Sequence, residues 1–360
     1  MKTNYSHATM HNQSTFRTSM LMLLVLLCSL PTWANQFSDI KKKEIEKSFT
    51  VSKNDLLQVD NRYGNITISH WNKNEVAIRV EIEAKANSEK KAQAILDRIH
   101  IQMEKTNHTV SAVTSLDPDN SSGNNQSFSI KYFINIPEEL SCSLTQRFGN
   151  INMPENNKGK CNLQTKYGNI NGGNFYAPLE VEAKYGNIII ANTTDKLEVE
   201  CKYGNLTAGK VKQMDVEIKY GNLQIKELEN GSLDQGYGNS TIQKITEGIT
   251  ISDLGYGTLN IKELSPNFKK VSIEASYSTV NIDMDKNASF HLIAEDMKYG
   301  NCRVKGFNVT QNNQTTHTSD FDSQEVKKNN DYYDLSINSG KGGKIHFNGN
   351  KFSNIKITAL

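Results

Sequence analysis

Charged side chains recur at a fixed spacing in the second half of the chain, and their types suit them to ligand binding. A glutamate stands two residues before a lysine in copy after copy of one short pattern. The best-aligned members of this candidate ligand face are Glu182, Glu200, Glu217, Lys184, Lys202 and Lys219. Carboxylate oxygens are suitable ligands for divalent cations, and the same side chains hydrogen-bond the hydroxyls of polysaccharides. The pattern equally describes a solvated face on which opposite charges offset one another, and both interpretations stay open.

The phrase Tyr-Gly-Asn directly follows each charged segment. The structure of this phrase must therefore determine where the charged side chains lie. The clearest copies comprise Tyr167, Gly168, Asn169, Tyr185, Gly186, Asn187, Tyr203, Gly204, Asn205, Tyr220, Gly221 and Asn222. Further copies begin at Tyr237 and Tyr299, degenerate ones at Phe148, Tyr256 and Tyr277, and an early one at Tyr63. From residue 148 to residue 299 the aromatic positions are 17 to 22 residues apart. A near-constant period of this kind is typical of a repeat architecture.

The repeats predict an all-β fold. Within one copy, here called a rung, apolar residues occupy positions 1, 3 and 5, then 10, 12 and 15, and charged residues alternate with the first set. Alternation indicates strands with one buried face, and three inward-pointing groups per copy indicate a coil with three sides. We therefore predict a three-sided parallel β-solenoid of about 18 residues per rung, right-handed by the usual preference of parallel crossover connections. The nine rungs start at residues 142, 161, 179, 197, 214, 231, 250, 271 and 293.

The Tyr-Gly-Asn phrase has a structural explanation in such a fold. Glycine permits a backbone conformation at the corner that a Cβ atom would penalise. Asparagine tolerates left-handed geometry, and its amide can bond its counterpart one rung away. Alternation places the tyrosine rings on the core side at the end of a strand, stacked in one column. The alternative, a stacking platform for sugars, is less favoured because the column keeps in phase with the core positions.

The beginning of the chain has the pattern of an export signal. Arg17 precedes an apolar run that starts at Leu21, and Ala34 stands at the expected cleavage point. The run is too short to span a bilayer comfortably, which favours a cleaved signal over a retained anchor. We therefore expect an exported protein, periplasmic or on the outer cell surface.

The remainder divides into three predicted segments. Residues 35–141 alternate in several stretches and form a β-rich cap with the early repeat copy and a short helix at 88–97, for which Ser88 is the N-cap. Residues 142–310 hold the nine rungs. Residues 311–360 form a polar loop and closing strands, because the open end of a solenoid exposes an edge that must be capped.

Composition and motifs disfavour several classes of function. Removal of the signal takes away Lys2 and Arg17, so 39 basic residues of the original 41 face 39 acidic ones, which leaves no basic stripe for nucleic acid. No second apolar stretch is long enough to cross a membrane. Zinc-protease, serine-hydrolase and phosphate-loop motifs do not occur in the sequence, and we predict no catalytic residue, metal or cofactor.

Two cysteines fall in equivalent positions of neighbouring rungs. Cys142 and Cys161 each occupy position 1, so we expect them to be stacked neighbours. A disulfide between them is one interpretation in an oxidising compartment, and a pair of small buried core residues is the other.

The repeat phrase and its surroundings resemble a known bacterial family. The segment 57–68, which contains Asn61-Arg62-Tyr63-Gly64-Asn65, together with the strand at 76–82 and the later Gly-Asn rungs, resembles the family labelled putative adhesin or domain of unknown function. The resemblance covers about residues 50–358 and implies an exported β-solenoid. It implies no catalytic residue.

These expectations favour one function over two alternatives. The favoured one is a non-enzymatic cell-envelope protein, an adhesin or a surface binding or scaffold protein whose partner is a surface glycan or another envelope protein. The first alternative is an accessory protein of envelope stress or signalling. The second is a polysaccharide-active β-helix enzyme, which would concentrate its acidic residues in one groove, whereas here they repeat as columns.

Overall fold

The fold is all-β, as predicted. A computed structural model describes residues 39–118, 126–311 and 331–360, so the predicted signal at 1–34 and most of the predicted polar loop lie outside the described residues. Strands account for 72% of the structure, and the described ranges contain one helix. The 24 strands in these ranges join in one large mixed sheet.

The elements fall into three groups along the chain. The N-terminal group is β1 (Asp39–Thr50), β2 (Leu56–Tyr63), β3 (Ile66–Trp71), β4 (Glu75–Ala86), α1 (Glu89–Asp97), β5 (Ile99–Thr106), β6 (Thr109–Leu116) and β7 (Ser127–Pro137). The repeat group is β8 (Ser141–Phe148), β9 (Ile151–Asn152), β10 (Asn156–Asn157), β11 (Cys161–Tyr167), β12 (Ile170–Phe175), β13 (Leu179–Tyr185), β14 (Ile188–Lys202), β15 (Leu206–Lys219), β16 (Leu223–Leu264), β17 (Lys270–Ala275), β18 (Ser278–Met284), β19 (Phe290–Glu295), β20 (Cys302–Lys305) and β21 (Val309–Gln311). The C-terminal group is β22 (Tyr333–Ile337), β23 (Gly343–Asn348) and β24 (Asn354–Ala359).

Helix α1 forms where the sequence supplies a cap and an apolar face. The Ser88 side chain accepts a hydrogen bond from the Lys91 backbone N–H at 3.4 Å, which satisfies one of the donors at the helix N-terminus. Ala92, Ile95 and Leu96 are buried, while the remaining face is polar. Because the helix contacts β1 and β4, it covers the N-terminal region of the sheet.

Successive rungs pair in parallel with equivalent residues opposite one another. Leu179 lies opposite Leu197 on β13 and β14, and Leu197 lies opposite Met214 on β15. These position-1 residues are buried, as are positions 3 and 5, while the charged residues between them point outward. In these three rungs each of these columns therefore contains the same kind of residue, whereas Gly231 stands opposite Met214 on the next rung.

The early repeat copy belongs directly to this stack. Strand β2 pairs in parallel with β8, and β3 pairs in parallel with β9, although 85 residues separate the equivalent Asn65 and Asn150. On their other sides β2 pairs with β6 and β3 pairs with β7. Strand β7 also pairs with β4, and β4 pairs with β1, both in the antiparallel sense. The N-terminal region is thus built onto the stack through the early copy.

The C-terminal strands do not occupy their predicted place. We expected them to close the end of nine consecutive rungs, but β23 lies between β17 and β19, and β24 lies between β18 and β20. The rung at 290–305 is therefore separated from the rung at 270–284 by the chain terminus. The inserted rung carries its own apolar set, with Ile345, Phe347, Ile355 and Ile357 buried, and this match to the core columns explains the insertion.

Acid should weaken the junction between Asp55 and the β5–β6 hairpin. The Asp55 side chain is 3% exposed and accepts hydrogen bonds from Lys105 Nζ at 2.7 Å and the Ser52 backbone N–H at 3.0 Å, with His108 Nδ1 at 2.8 Å. The Lys105 contact, followed by Ser52 and His108, holds the pKa of Asp55 far below its usual range. Since the folded-state pKa is depressed, this contribution is complete above the unfolded pKa of about 3.9 and is lost as pH falls below it.

We expect Asp55→Asn to lower the thermal midpoint at pH 7 and the difference from wild type to shrink below about pH 4. Calorimetry across that range measures it, with Glu46→Gln, an exposed carboxylate on β1, as the control. A deficit for Asp55→Asn that stays constant into acid would contradict the role of its charge.

Candidate functional site

The tyrosines of the repeat lie on the outside of the stack, which corrects our expectation of core-side rings. Their exposed fractions run from 41% at Tyr185 to 57% at Tyr299. Alternation holds only through position 5, where Ala183 and Ile218 are buried. The lysine at position 6 and the tyrosine at position 7 are then exposed together, apart from the half-buried Lys202. The chain therefore turns one residue earlier than strict alternation assumes.

Backbone geometry gives the reason for this early turn in the rungs of Tyr203 and Tyr220. Tyr203 and Tyr220 have φ angles of 56° and 58°, in the left-handed region. A left-handed residue at the end of a strand breaks the two-residue alternation and redirects the side chain to the solvent. We expected the glycine to adopt the unusual backbone conformation of the corner. In these two rungs the tyrosine has the positive φ angle, whereas in two others it is Gly149 and Gly238, with φ angles of 136° and 134°.

The exposed rings and the half-buried ring of Tyr63 form one continuous column. From Tyr63 through Phe148 to Tyr277, neighbouring ring centroids are 4.9–5.2 Å apart, and the ring planes lie within 8° of parallel. Each ring face is covered by the next ring, so the solvent meets ring edges and hydroxyl groups. Sugar stacking needs an open ring face, and the interior of this column offers none.

The asparagines form a hydrogen-bonded ladder beside the rings. The Asn222 backbone N–H donates to Asn205 Oδ1 at 3.0 Å, and the Asn222 side-chain amide donates to the same oxygen at 2.9 Å. The same backbone-to-side-chain bond recurs from Asn65 up to Thr258. Since a carboxamide NH₂ has two donor hydrogens, the one used in the ladder leaves a second for a ligand.

The glycine of the phrase is required by close approach. A Cβ atom built on Gly221 would lie 1.7 Å from the carbonyl oxygen of Gly204, and one on Gly204 would lie 1.9 Å from that of Gly186. Those oxygens belong to the backbone of the preceding rung and cannot rotate away. The corner therefore packs backbone on backbone, which fixes the spacing of the rings and amides.

A groove with uncharged lining runs along the ladder across four rungs. It has a volume of about 450 Å³, and none of its lining residues is ionisable. We call it the amide groove and define it by Asn187, Asn205, Asn222 and Asn239 together with Ile189, Thr207, Gln224 and Thr241. Thr207 lies opposite Ile189 on one side and Gln224 on the other, so like positions repeat along the stack. The groove presents amide and hydroxyl groups at the spacing of the rungs.

The candidate ligand face predicted from charge also points outward. It lies on the strand segments that precede the tyrosines, whereas the amide groove lies on the segments that follow them. Glu182, Glu200 and Glu217 border a depression of about 230 Å³. Lys202 pairs with Glu200, and Lys219 Nζ lies 2.6 Å from Glu217 Oε1. These hydrogen bonds raise the pKa of both lysines. Much of the charge on this face is thus neutralised within the protein.

The ionisable groups of the described residues do not assemble into a metal centre. Within the parts of the chain that the structure describes, no three His, Cys, Asp or Glu side chains converge on one metal position.

In the acidic column, burial followed by the nearby Asp253 carboxylate raises the pKa of Asp234. In the described ranges, no helix is long and apolar enough to cross a membrane.

The cysteine pair has the stacked arrangement that its positions suggest. Cys142 lies opposite Cys161 on β8 and β11, and its thiol donates to Cys161 Sγ at 3.4 Å. The Cys161 contact, together with burial, raises the pKa of the Cys142 thiol well above its ordinary range. Both are free thiols here, and such protonated, buried thiols react slowly once the protein has folded.

We expect the pair to be oxidised when the chain folds in an oxidising compartment, because the disulfide can close before burial protects the thiols. A loop of this length would gain about 3 kcal/mol of stability. Thiol titration in denaturant and intact mass before and after reduction measure the state, with Cys142→Ser as the control. If all four buried cysteines titrate as thiols in the exported protein, the expectation is wrong.

One aromatic residue of the column, Phe352, was not predicted from the sequence. Phe352 stands between Tyr277 and Tyr299, with centroid distances of 5.8 Å and 4.8 Å. Asn354 Oδ1 accepts from the Asn301 backbone N–H at 3.0 Å, so Phe352-Ser353-Asn354 is a degenerate corner. The sequence does contain a signal for it. Phe352 precedes an asparagine by two positions, as Phe148 does in Phe148-Gly149-Asn150, and an alternating strand follows.

Comparison with known proteins found similar solved structures but no sequence relative. No protein-family model matches the sequence, and no curated protein matches it significantly. Among solved structures, a putative adhesin from Bacteroides fragilis aligns over 88% of this chain and 97% of its own, with 12% identity and a TM-score of 0.37. A putative cell adhesion protein from Clostridium sporogenes aligns over 89% and 100%, with 12% identity and a TM-score of 0.21. A putative lipid binding protein from Parabacteroides distasonis aligns over 67% and 90%, with 13% identity and a TM-score of 0.26.

Two of these structural neighbours are described as a putative adhesin or a putative cell adhesion protein, and putative adhesin is also the label of the family that the repeats resemble. All three are described as adhesion or binding proteins and not as enzymes. At such low identities and scores, the similarity assigns no ligand to this chain.

Proposed function

We propose that the protein is a non-enzymatic, exported cell-envelope β-solenoid that binds an extended, uncharged surface glycan along the amide groove. It would act as an adhesin or as a binding or scaffold protein in the periplasm or on the outer cell surface. The observation that carries the proposal is the amide groove itself, in which an asparagine stands on each of four successive rungs and no lining residue is charged.

The solenoid part of the proposal rests on the pairing of the rungs. Parallel, in-register pairs run through β8, β11, β13, β14, β15 and β16, and a second set runs through β9, β12, β14, β15 and β16. Consecutive segments of one rung thus extend separate ladders, as a coiled chain requires. Right-handed coiling follows from the usual preference of parallel crossovers.

A glycan suits the groove because of its chemistry. Sugar hydroxyls both donate and accept hydrogen bonds, and they match a surface of carboxamides and hydroxyls that carries no charge. A linear glycan also repeats like groups along its length, as the groove does. Ile189, which is 50% exposed in the groove, offers an apolar contact for the C–H face of a sugar ring.

The charged face has a different role in this account. Because Lys202 and Lys219 pair with Glu200 and Glu217, an incoming ligand would have to break these contacts before binding. Exposed pairs of this kind contribute little stability each, and they keep a long regular surface soluble. We assign ligand binding to the uncharged side of the tyrosine column and solubility to the charged side.

Binding of uncharged polysaccharides by the full chain tests the proposal. The double variant Thr207→Lys, Gln224→Glu places two opposite charges on adjacent exposed positions of the groove, where they pair without disturbing the core. We expect it to lose binding at least tenfold in a calorimetric titration. Glu200→Gln, Lys202→Gln, which removes a pair on the charged face, is the matched control and should bind as wild type.

A result in which only the second variant loses binding would move the site to the charged face. Cleavage of the polysaccharide by the wild-type protein would refute the non-enzymatic assignment.

A further inference from the structure

A second cleft, of about 450 Å³, lies in the N-terminal region and shares no residue with the amide groove. Three chain segments line it: residues 51–53 after β1, residues 70–74 after the body of β3, and residues 137–140 between β7 and β8. These segments meet where the early repeat copy joins the N-terminal strands, because Trp71 lies opposite Pro137 in the β3–β7 pair.

Trp71 gives this cleft an aromatic wall. Counted from Leu57, it occupies position 15 of its rung, where later rungs bury Phe175 and Val211. Here the indole is only half-buried, and its Nε1–H donates to the Glu75 carbonyl oxygen at 2.7 Å, which fixes the ring. The exposed Lys73 ammonium lies 4.6 Å from the ring centroid. The ring is thus covered by an exposed lysine side chain, which a sugar would have to displace.

The polar groups around the indole are balanced in charge. Lys53 and Lys73 line the cleft together with Glu138 and Glu139, so neither sign of charge dominates the lining, and Glu138 also pairs with Lys158 Nζ at 2.9 Å. Burial is the main effect on His70 and lowers its pKa, so the imidazole is neutral at pH 7. Carboxylates accept hydrogen bonds from hydroxyl groups, and the amides of the neighbouring asparagines both donate and accept.

We infer that this cleft binds an uncharged saccharide, with the C–H face of a sugar ring against Trp71 and its hydroxyls on Glu139 and the adjacent amides. The site is independent of the groove proposed above: it takes a short glycan or a chain end at one place, whereas the groove takes an extended chain. A ligand of high net charge has no advantage there, because lysines and glutamates both line the cleft.

Fluorescence of Trp71 provides a local test. The sequence has two tryptophans, Trp33 and Trp71, so Trp33→Phe in the full chain leaves Trp71 as the sole reporter. This protein is titrated with uncharged tetrasaccharides of glucose, galactose, mannose or N-acetylglucosamine. We expect a saturable change in emission with at least one of them. By calorimetry, Trp71→Phe and Glu139→Gln should each weaken that binding about tenfold. Glu104→Gln, an exposed glutamate on β5, should leave it unchanged.

Each contrary outcome has a distinct meaning. The inference is overturned if no tetrasaccharide gives a saturable change, or if Trp71→Phe and Glu139→Gln bind as wild type. It is also overturned if Thr207→Lys, Gln224→Glu abolishes the fluorescence response, because the ligand would then sit in the amide groove. A fluorescence response that survives in that groove variant supports the cleft whether or not the groove binds a polymer.

Discussion

Replacement of Gly221 by alanine is expected to destabilise the protein by at least the upper end of the ~1–3 kcal/mol that overpacking costs in a well-packed interior. The added Cβ atom would lie 1.7 Å from the Gly204 carbonyl oxygen and 3.2 Å from Ile218 Cγ2. The oxygen belongs to a rung that is itself paired in parallel on both sides, so relief requires neighbouring rungs to separate. Urea denaturation followed by circular dichroism measures the loss.

Gly236 offers the matched control on the next rung. A Cβ atom at this glycine meets nothing within 4 Å. Gly236→Ala should therefore be neutral or stabilise the protein by up to about 1 kcal/mol through the lower entropy of the unfolded chain. Equal destabilisation by the two substitutions would show that backbone contact at the corner is not what requires glycine.

Replacement of Phe347 by alanine is expected to cost about 3–5 kcal/mol, the range for deleting a fully buried phenylalanine. Phe347 is 0% exposed, and its strand β23 lies between β17 and β19. Because repeat stacks respond mainly between nearest neighbours, the damage should spread to the rungs on both sides. Hydrogen exchange should rise in β17, β18, β19 and β20, while β11 to β15 keep their protection.

Phe352 is the control for this substitution, since it belongs to the same inserted rung but is 55% exposed. Phe352→Ala removes the ring contacts with Tyr277 and Tyr299, each worth about 0.5–1.5 kcal/mol, and leaves the core intact. Phe347→Ala should therefore be the more harmful of the two. If its effect on exchange stops at β19 and β20, the C-terminal strands lie at the end of the stack and not within it.

The in-register pairing of β13, β14 and β15 agrees with the sequence pattern because the period of that pattern is carried by core residues. Leu179, Leu197 and Met214 occupy one column, and their alternation with charged neighbours leaves a single arrangement that buries them. The ladder of asparagines followed from the same alignment. In these rungs, local pattern and tertiary structure agree.

The tyrosine side was mispredicted because alternation applies only within a strand. The φ angle of 56° at Tyr203 ends the strand at that residue, and a period of two cannot report such a turn. The amide groove was missed for the same reason, because it depends on which side the corner turns to. The cleft at Trp71 unites three segments distant in sequence, and no local pattern carries that information.

The insertion of β23 and β24 between earlier rungs could not be predicted from the order of the strands along the chain. Alternation in 354–359 indicates a strand but names no partner, and consecutive stacking is the usual default for repeats. The degenerate phrase at Phe352 was the one indication that this segment belongs to the column.

The length dependence of glycan binding tests whether a glycan lies along the amide groove. Uncharged, linear oligosaccharides from disaccharide to decasaccharide are titrated calorimetrically into the Trp71→Phe chain, in which the cleft is weakened. We predict that affinity rises with length until the ligand spans the four asparagines of the groove, about 14 Å at the spacing of parallel strands, and then levels off. Thr207→Lys, Gln224→Glu should abolish that rise. An affinity that is independent of length, or a rise that persists in this variant, would contradict binding along the amide groove.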